Sequence, residues 1–138
     1  MNATQESGIV RELGRDTFED AINGHPLAVI DFWAPWCRPC RAFAPVFAAA
    51  AAKHTDILFG KVNTEDEREL AAHFGIRSIP TLMIFRDNII VYAEPGALPA
   101  GAFEEVLKAA RSLDMEKVRR DVEAADEAPS NADAQPTG

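Results

Sequence analysis

Apolar and polar positions in this chain fall into blocks that read alternately as strand and helix. Ile9 to Leu13 is a short, weak strand. Asp16 and Thr17 can cap a helix that gathers Phe18, Ala21 and Ile22 on one face and closes near Gly24. Leu27 to Trp33 is a continuous apolar run broken by one charge, Asp31. Such a run predicts a strand covered on both faces. Pro39 to about Lys53 reads as a helix: Ala48 to Ala52 favour it, and Pro45 predicts a kink. Ile57 to Val62 is a second apolar strand, and Glu65 to Phe74 a helix ended by Gly75. Thr81 to Phe85 is a third core strand. Asp87-Asn88 turns it back into Ile89 to Ala93, because Asn tolerates positive φ. Phe103 to Ala110 is an amphipathic helix.

This order predicts an α/β fold, a central mixed β-sheet flanked by helices. Helical crossovers favour parallel pairing among the early strands, and the final hairpin adds an antiparallel pair. Beyond the last core helix, Met115, Val118, Val122 and Ala125 recur at three- and four-residue steps, and Asp114 can cap them. That stripe predicts a short helix packed on the domain, continuing the previous helix, or docking a partner or a second copy. The expected organisation is a flexible N-terminus over 1–7, one domain over 8–112, a helical extension over 113–127 and a disordered tail over 128–138.

Composition narrows the partners. The chain has 138 residues and a formal charge of −8, and half of that charge lies in residues 114–138, where 7 acidic and 3 basic residues stand. An acidic balance argues against nucleic acid, which calls for clustered Lys and Arg. The longest apolar run, Ala42 to Ala52, is 11 residues and contains Pro45, short of the roughly 20 that a membrane span needs. The first residues lack the pattern of a secretory signal.

The candidate chemistry lies in Cys37-Arg38-Pro39-Cys40, the only two cysteines, directly after the buried strand. Spacing of i, i+3 at a helix start puts both sulfurs on one face, where they can close a disulfide. Cys37 sits where amide groups are unpaired and the helix dipole is positive, which favours thiolate over thiol. Cys40, one turn deeper, is expected to be more buried and less acidic. The asymmetry predicts that Cys37 attacks a disulfide and Cys40 resolves the mixed disulfide. Zinc would need about four ligands, and His25, His54 and His73 follow no ligand spacing. A structural disulfide across so short a loop gains little.

Asp31 in a low-dielectric interior is expected to have a raised pKa. It can serve as the acid that takes and returns the proton of Cys40, or as a structural acid satisfied by neighbours. Lys61 is a candidate partner for its charge. Pro80 precedes a core strand, where a missing N–H does no harm; its residue type alone leaves cis or trans open, with trans the commoner state. Trp33 reads as core, and Trp36 as an exposed apolar surface beside the sulfur.

Phe32-Trp33-Ala34-Pro35-Trp36-Cys37-Arg38-Pro39-Cys40, Ala44-Pro45 and Gly75-Ile76-Arg77-Ser78-Ile79-Pro80-Thr81 resemble the thioredoxin family over about residues 8–112. Lys61-Val62-Asn63-Thr64-Glu65 is similar to the second bacterial type, whose N-terminal zinc module would need cysteines this chain lacks. The resemblance implies a thioredoxin fold and a protein-disulfide reductase working in cell redox homeostasis. Cys37 matches the exposed nucleophile, Cys40 the resolving thiol, Asp31 the buried acid and Lys61 its neighbour. Pro80 matches a cis-proline facing the dithiol. Trp36, Ile79, Gly96 and Ala97 match the surface that holds substrate. No cofactor is expected on the chain, with electrons coming from NADPH through a flavoprotein thioredoxin reductase. The expected partners are that reductase and disulfide-containing client proteins, for a monomer in the bacterial cytoplasm. Arg38 stands where the family usually has glycine. A cation there would stabilise the Cys37 thiolate and make the couple more oxidising, which keeps an oxidase or isomerase role open. A holdase using the apolar rim is the non-catalytic alternative.

Overall fold

The computed structural model describes residues 8–126; the segments expected to be flexible (1–7) and disordered (128–138) lie outside them. Five strands form one sheet in the order β1-β3-β2-β4-β5. The strands are β1 Val10–Glu12, β2 Leu27–Trp33, β3 Leu58–Asn63, β4 Thr81–Arg86 and β5 Ile89–Pro95. The helices are α1 Phe18–Asn23, α2 Arg38–Lys53, α3 Arg68–His73, α4 Ala100–Arg111 and α5 Met115–Asp126.

β3 lies parallel to β1 and β2, whereas β4 runs antiparallel to β2 as well as to β5. The mixed character therefore begins at the centre of the sheet, not only in the final hairpin. β4 lies next to β2 rather than β3, so the α3 crossover does not join neighbouring parallel strands.

Alternation along the strands builds two cores. Leu27, Val29, Phe59, Leu82 and Ile84 face α2 and α4, where Phe43, Phe47, Phe103 and Leu107 complete the layer. Phe47 lies 5.3 Å from Phe59 and 6.0 Å from Phe103, ring centre to ring centre. Ala28, Ile30, Phe32, Met83 and Phe85 face the other way, toward Phe18, Ile22 and Phe74. Both faces of β2 are thus covered, as its apolar run predicts.

Several element ends differ from the sequence reading. Thr17 precedes α1 but makes no side-chain cap; its hydroxyl accepts the Gly14 N–H instead, at 3.0 Å. α3 begins at Arg68, not Glu65, because Asn63 Oδ1 accepts the Glu65 N–H at 2.9 Å and holds a turn first. Gly75 ends it at φ 66°, with Ile76 N–H donating to Ala71 C=O. α4 starts earlier than expected, at Ala100 behind Pro99. In the hairpin both Asp87 and Asn88 take positive φ, at 53° and 69°, the pattern of a two-residue type I′ turn.

α5 is a separate helix that docks on the domain. Asp114 Oδ1 accepts the Glu116 and Lys117 amides at its start, and Met115 is buried. Arg119 pairs with Asp87 in the hairpin turn. Arg86, at the end of β4, donates to the Ala110 and Arg111 carbonyls that close α4. All of this lies at the opposite end of β4 from Thr81 and Pro80. Val122 remains exposed.

Candidate active site

β2 ends at Trp33, and Ala34 C=O accepts the Cys37 N–H at 3.1 Å, turning the chain into α2. Arg41 braces that turn by donating to Pro35 C=O at 3.0 Å. Cys37 is the N-cap of α2, with extended backbone, and its Sγ accepts the Cys40 N–H at 3.2 Å. Arg38 and Pro39 occupy the first two helical positions, where a missing N–H does no harm. Cys37 and Cys40 are joined as a disulfide, with Cα atoms 5.2 Å apart. One amide already points at the Cys37 sulfur, and the same amide would stabilise a thiolate there once the bond is reduced.

The expected difference in exposure between the two sulfurs is slight in this oxidised state. Cys37 is 4% exposed and Cys40 2%, because Ala34, Trp33 and Ile79 wall the pair. What separates them is position: Cys37 caps the helix, and Cys40 lies within its first turn.

A second loop closes over the sulfur. The Ile79–Pro80 peptide is cis, and Ile79 C=O lies 3.8 Å from Cys37 Sγ. Thr81 Oγ1 donates to Ser78 C=O, while Gly96 N–H donates to Pro80 C=O at 2.8 Å. Gly96, at φ 109°, and Ala97 are both exposed beside this loop. Trp36 is 64% exposed, and its indole N–H donates to Glu65 at 3.0 Å, so its ring is held rather than free. Glu65 in turn pairs with Arg68. The bond to Glu65 spans 29 residues and has no signal in the sequence.

Asp31 lies on the α2 side of the sheet, two residues beyond Val29. Burial pushes its pKa from 3.8 up to about 7; the Lys61 charge opposes the rise and Glu12 adds to it. The strand register explains both, since Glu12, Lys61 and Asp31 are successive partners across β1, β3 and β2. Asp31 Oδ1 has no hydrogen-bond partner among the described residues. Lys61 does not form the ion pair with Asp31 that the sequence suggests: its ammonium sits over the Trp33 ring, 4.1 Å from the centre. Asp31 is thus a buried acid lacking the direct partner that would make it purely structural.

Among the described residues, no group of three or more His, Cys, Asp and Glu is placed to hold a metal ion. His54 bonds Glu104 and Arg111 far from the dithiol, and His73 stands edge-on to Phe74. No helix of the described residues is long and apolar enough to cross a membrane.

Comparison with known proteins agrees with this geometry. The thioredoxin family model matches residues 9–109. A protein of Streptomyces coelicolor assigned as a thioredoxin 2 is 50% identical over 111 residues, which are 80% of this chain and 83% of that protein. The crystal structure of thioredoxin F from spinach chloroplast, in its short form, superposes with a TM-score of 0.73 at 33% identity, covering 81% of this chain and 100% of that one. A crystal structure of a complex of ferredoxin:thioredoxin reductase with thioredoxin f2 gives 0.72 at 32% identity, over 78% of this chain and 99% of the chain matched. The family needs no bound cofactor, and the chemistry belongs to its paired cysteines. With residues 9–109 matched by the family and its two sulfurs already joined at the mouth of α2, this chain belongs to the thioredoxin family and is a thiol–disulfide oxidoreductase.

Proposed function

We propose that the chain is a protein-disulfide reductase in which Cys37 attacks and Cys40 resolves. The observation that carries the reading is the Cys37 sulfur at the cap of α2, bonded by the Cys40 N–H and facing Ile79 C=O. Reduced Cys37 attacks one sulfur of a client disulfide; a Cys37–client disulfide forms and the first client thiolate leaves. Cys40 then attacks Cys37 Sγ, the second client thiolate leaves, and the Cys37–Cys40 bond seen here is regenerated. Two electrons pass to the client. Asp31, with a pKa about 7, takes the Cys40 proton as that sulfur becomes a nucleophile. Lys61 tempers the acid through its charge.

The client backbone lies across Ile79, Pro80, Gly96 and Ala97, with Trp36 as an apolar rim. The proposed electron supply is NADPH through a flavoprotein thioredoxin reductase; a solved neighbour in complex with a reductase of another type supports such a dock. The proposed setting is the bacterial cytoplasm, where thiols are kept reduced. The proposed working state is a monomer.

The test is dithiothreitol-driven reduction of insulin. The parent accelerates it and Cys40→Ser does not. A parent no faster than dithiothreitol alone would overturn the reading.

A further inference from the structure

Most of the basic side chains in this acidic protein are already engaged. Arg15 pairs with Glu69, Lys53 with Glu104, Arg68 with Glu65, Arg111 with Asp56, Lys117 with Asp121 and Arg119 with Asp87. Arg41 and Arg86 donate to backbone carbonyls, and Lys61 lies over Trp33. Among the described residues, Arg38, Arg77, Lys108 and Arg120 have neither a side-chain hydrogen bond nor an ion pair, and of these Arg38 and Arg77, both exposed, lie nearest in the chain to the dithiol and to Ile79. They also stand on the two segments that meet at the reactive sulfur, Arg38 at the start of α2 and Arg77 in the loop before β4. Arg38 follows Cys37 directly. Arg77 lies two residues before Ile79, whose carbonyl is 3.8 Å from Cys37 Sγ.

Two unpaired arginines on the segments that meet at a nucleophile have no internal function in the fold. Arg41 already braces the turn, and neither free arginine supports the fold. Two acids stand nearby. Glu65, beyond Trp36, is matched by Arg68, and Glu94, the partner of Leu82 in the β4–β5 register, lies on the Gly96 side. Arg38 and Arg77 thus put two unmatched positive charges on the segments that meet at the sulfur.

We infer that Arg38 and Arg77 form a two-point anion clamp that selects client disulfides flanked by Asp or Glu. This rests on the reductase reading and adds its specificity. A carboxylate beside the client disulfide meets one of the two guanidinia as the sulfurs align, so the encounter is favoured for acidic clients and disfavoured for basic ones. The pair acts on docking and takes no part in bond exchange, so both are positioning residues for substrate.

The experiment uses two disulfide-bonded peptides of one sequence, one with Asp and Glu beside the cysteines and one with Lys and Arg. Fully reduced chain is mixed with each in single turnover, and the two rate constants are compared. The parent reduces the acidic peptide about tenfold faster at low ionic strength, as two exposed charge contacts of ordinary size would give. In about 1 M salt, where the screening length is about 3 Å, the ratio falls toward one. Arg38→Gln and Arg77→Gln each lower the ratio, and the double variant abolishes it. Any change of redox potential in Arg38→Gln alters both rates together and cancels in the ratio. Equal rates for the two peptides with the parent, or an unchanged ratio in the double variant, overturn the clamp. Reduction of neither peptide overturns the reductase reading instead.

Discussion

Replacing Asp31 with asparagine removes one ionisation from the core while keeping the size of the side chain. Asp31 is 2% exposed, and burial lifts its pKa from 3.8 to about 7. Between those values the folded parent holds a proton that the unfolded chain has released. Stability therefore falls as pH rises through this window, opposite to the usual behaviour of a paired carboxylate. About 3 pH units at 1.36 kcal/mol each give about 4 kcal/mol between about pH 4 and pH 8. The amide of Asp31→Asn does not titrate, so that variant lacks this fall, while every other group is shared. Urea denaturation of both oxidised proteins across about pH 4–8 measures the difference. With a slope of about 2 kcal/mol per molar, the variant's midpoint rises against the parent's by about 2 M over the window. The absolute offset between the proteins also contains the hydrogen bonding of the new amide, and the trend with pH does not. Parallel midpoint curves would refute a desolvated, proton-holding Asp31.

Phe47→Ala removes the ring packed against Phe43, Phe59 and Phe103 and should cost about 3–5 kcal/mol, read as a lowered denaturation midpoint. Asp114→Ala strips the α5 cap and should cost about 1 kcal/mol, with amide exchange rising in 115–126 and insulin reduction unchanged. Arg38→Gly removes a cation beside Cys37, so its disulfide should be harder to reduce; exposed charges of this kind shift a two-electron couple by about 10–20 mV, and equilibration with glutathione measures it. An equal or less negative potential in the variant would contradict the charge argument.

Much of this is legible in the sequence because it is local. The apolar run of β2 predicts a strand covered on both faces, and its single charge marks Asp31. The i, i+3 cysteines behind it place a dithiol at a helix start. What escapes depends on residues far apart in the chain. The antiparallel pairing of β4 with β2 follows from where strands find room in the sheet, which the α3 crossover leaves undecided. The start of α3 shifts because the Asn63 side chain competes for an amide. Lys61 leaves Asp31 for the face of Trp33, a choice that no pattern of charges reveals. The cis bond before Pro80 is implied by family resemblance and not by residue type. The register of Glu12, Lys61 and Asp31 becomes visible only with the strands paired.

The central claim is that the cap of α2 makes the Cys37 sulfur the nucleophile of the pair. It is tested most directly by alkylating the reduced protein with iodoacetamide across about pH 5–10 and locating the label by peptide mass spectrometry. The account predicts that Cys37 is labelled first, with a midpoint clearly below the ~8.5 of an ordinary cysteine, and that Cys40 lags at least about tenfold. Labelling of Cys40 first, or of Cys37 with an unshifted midpoint, would contradict it.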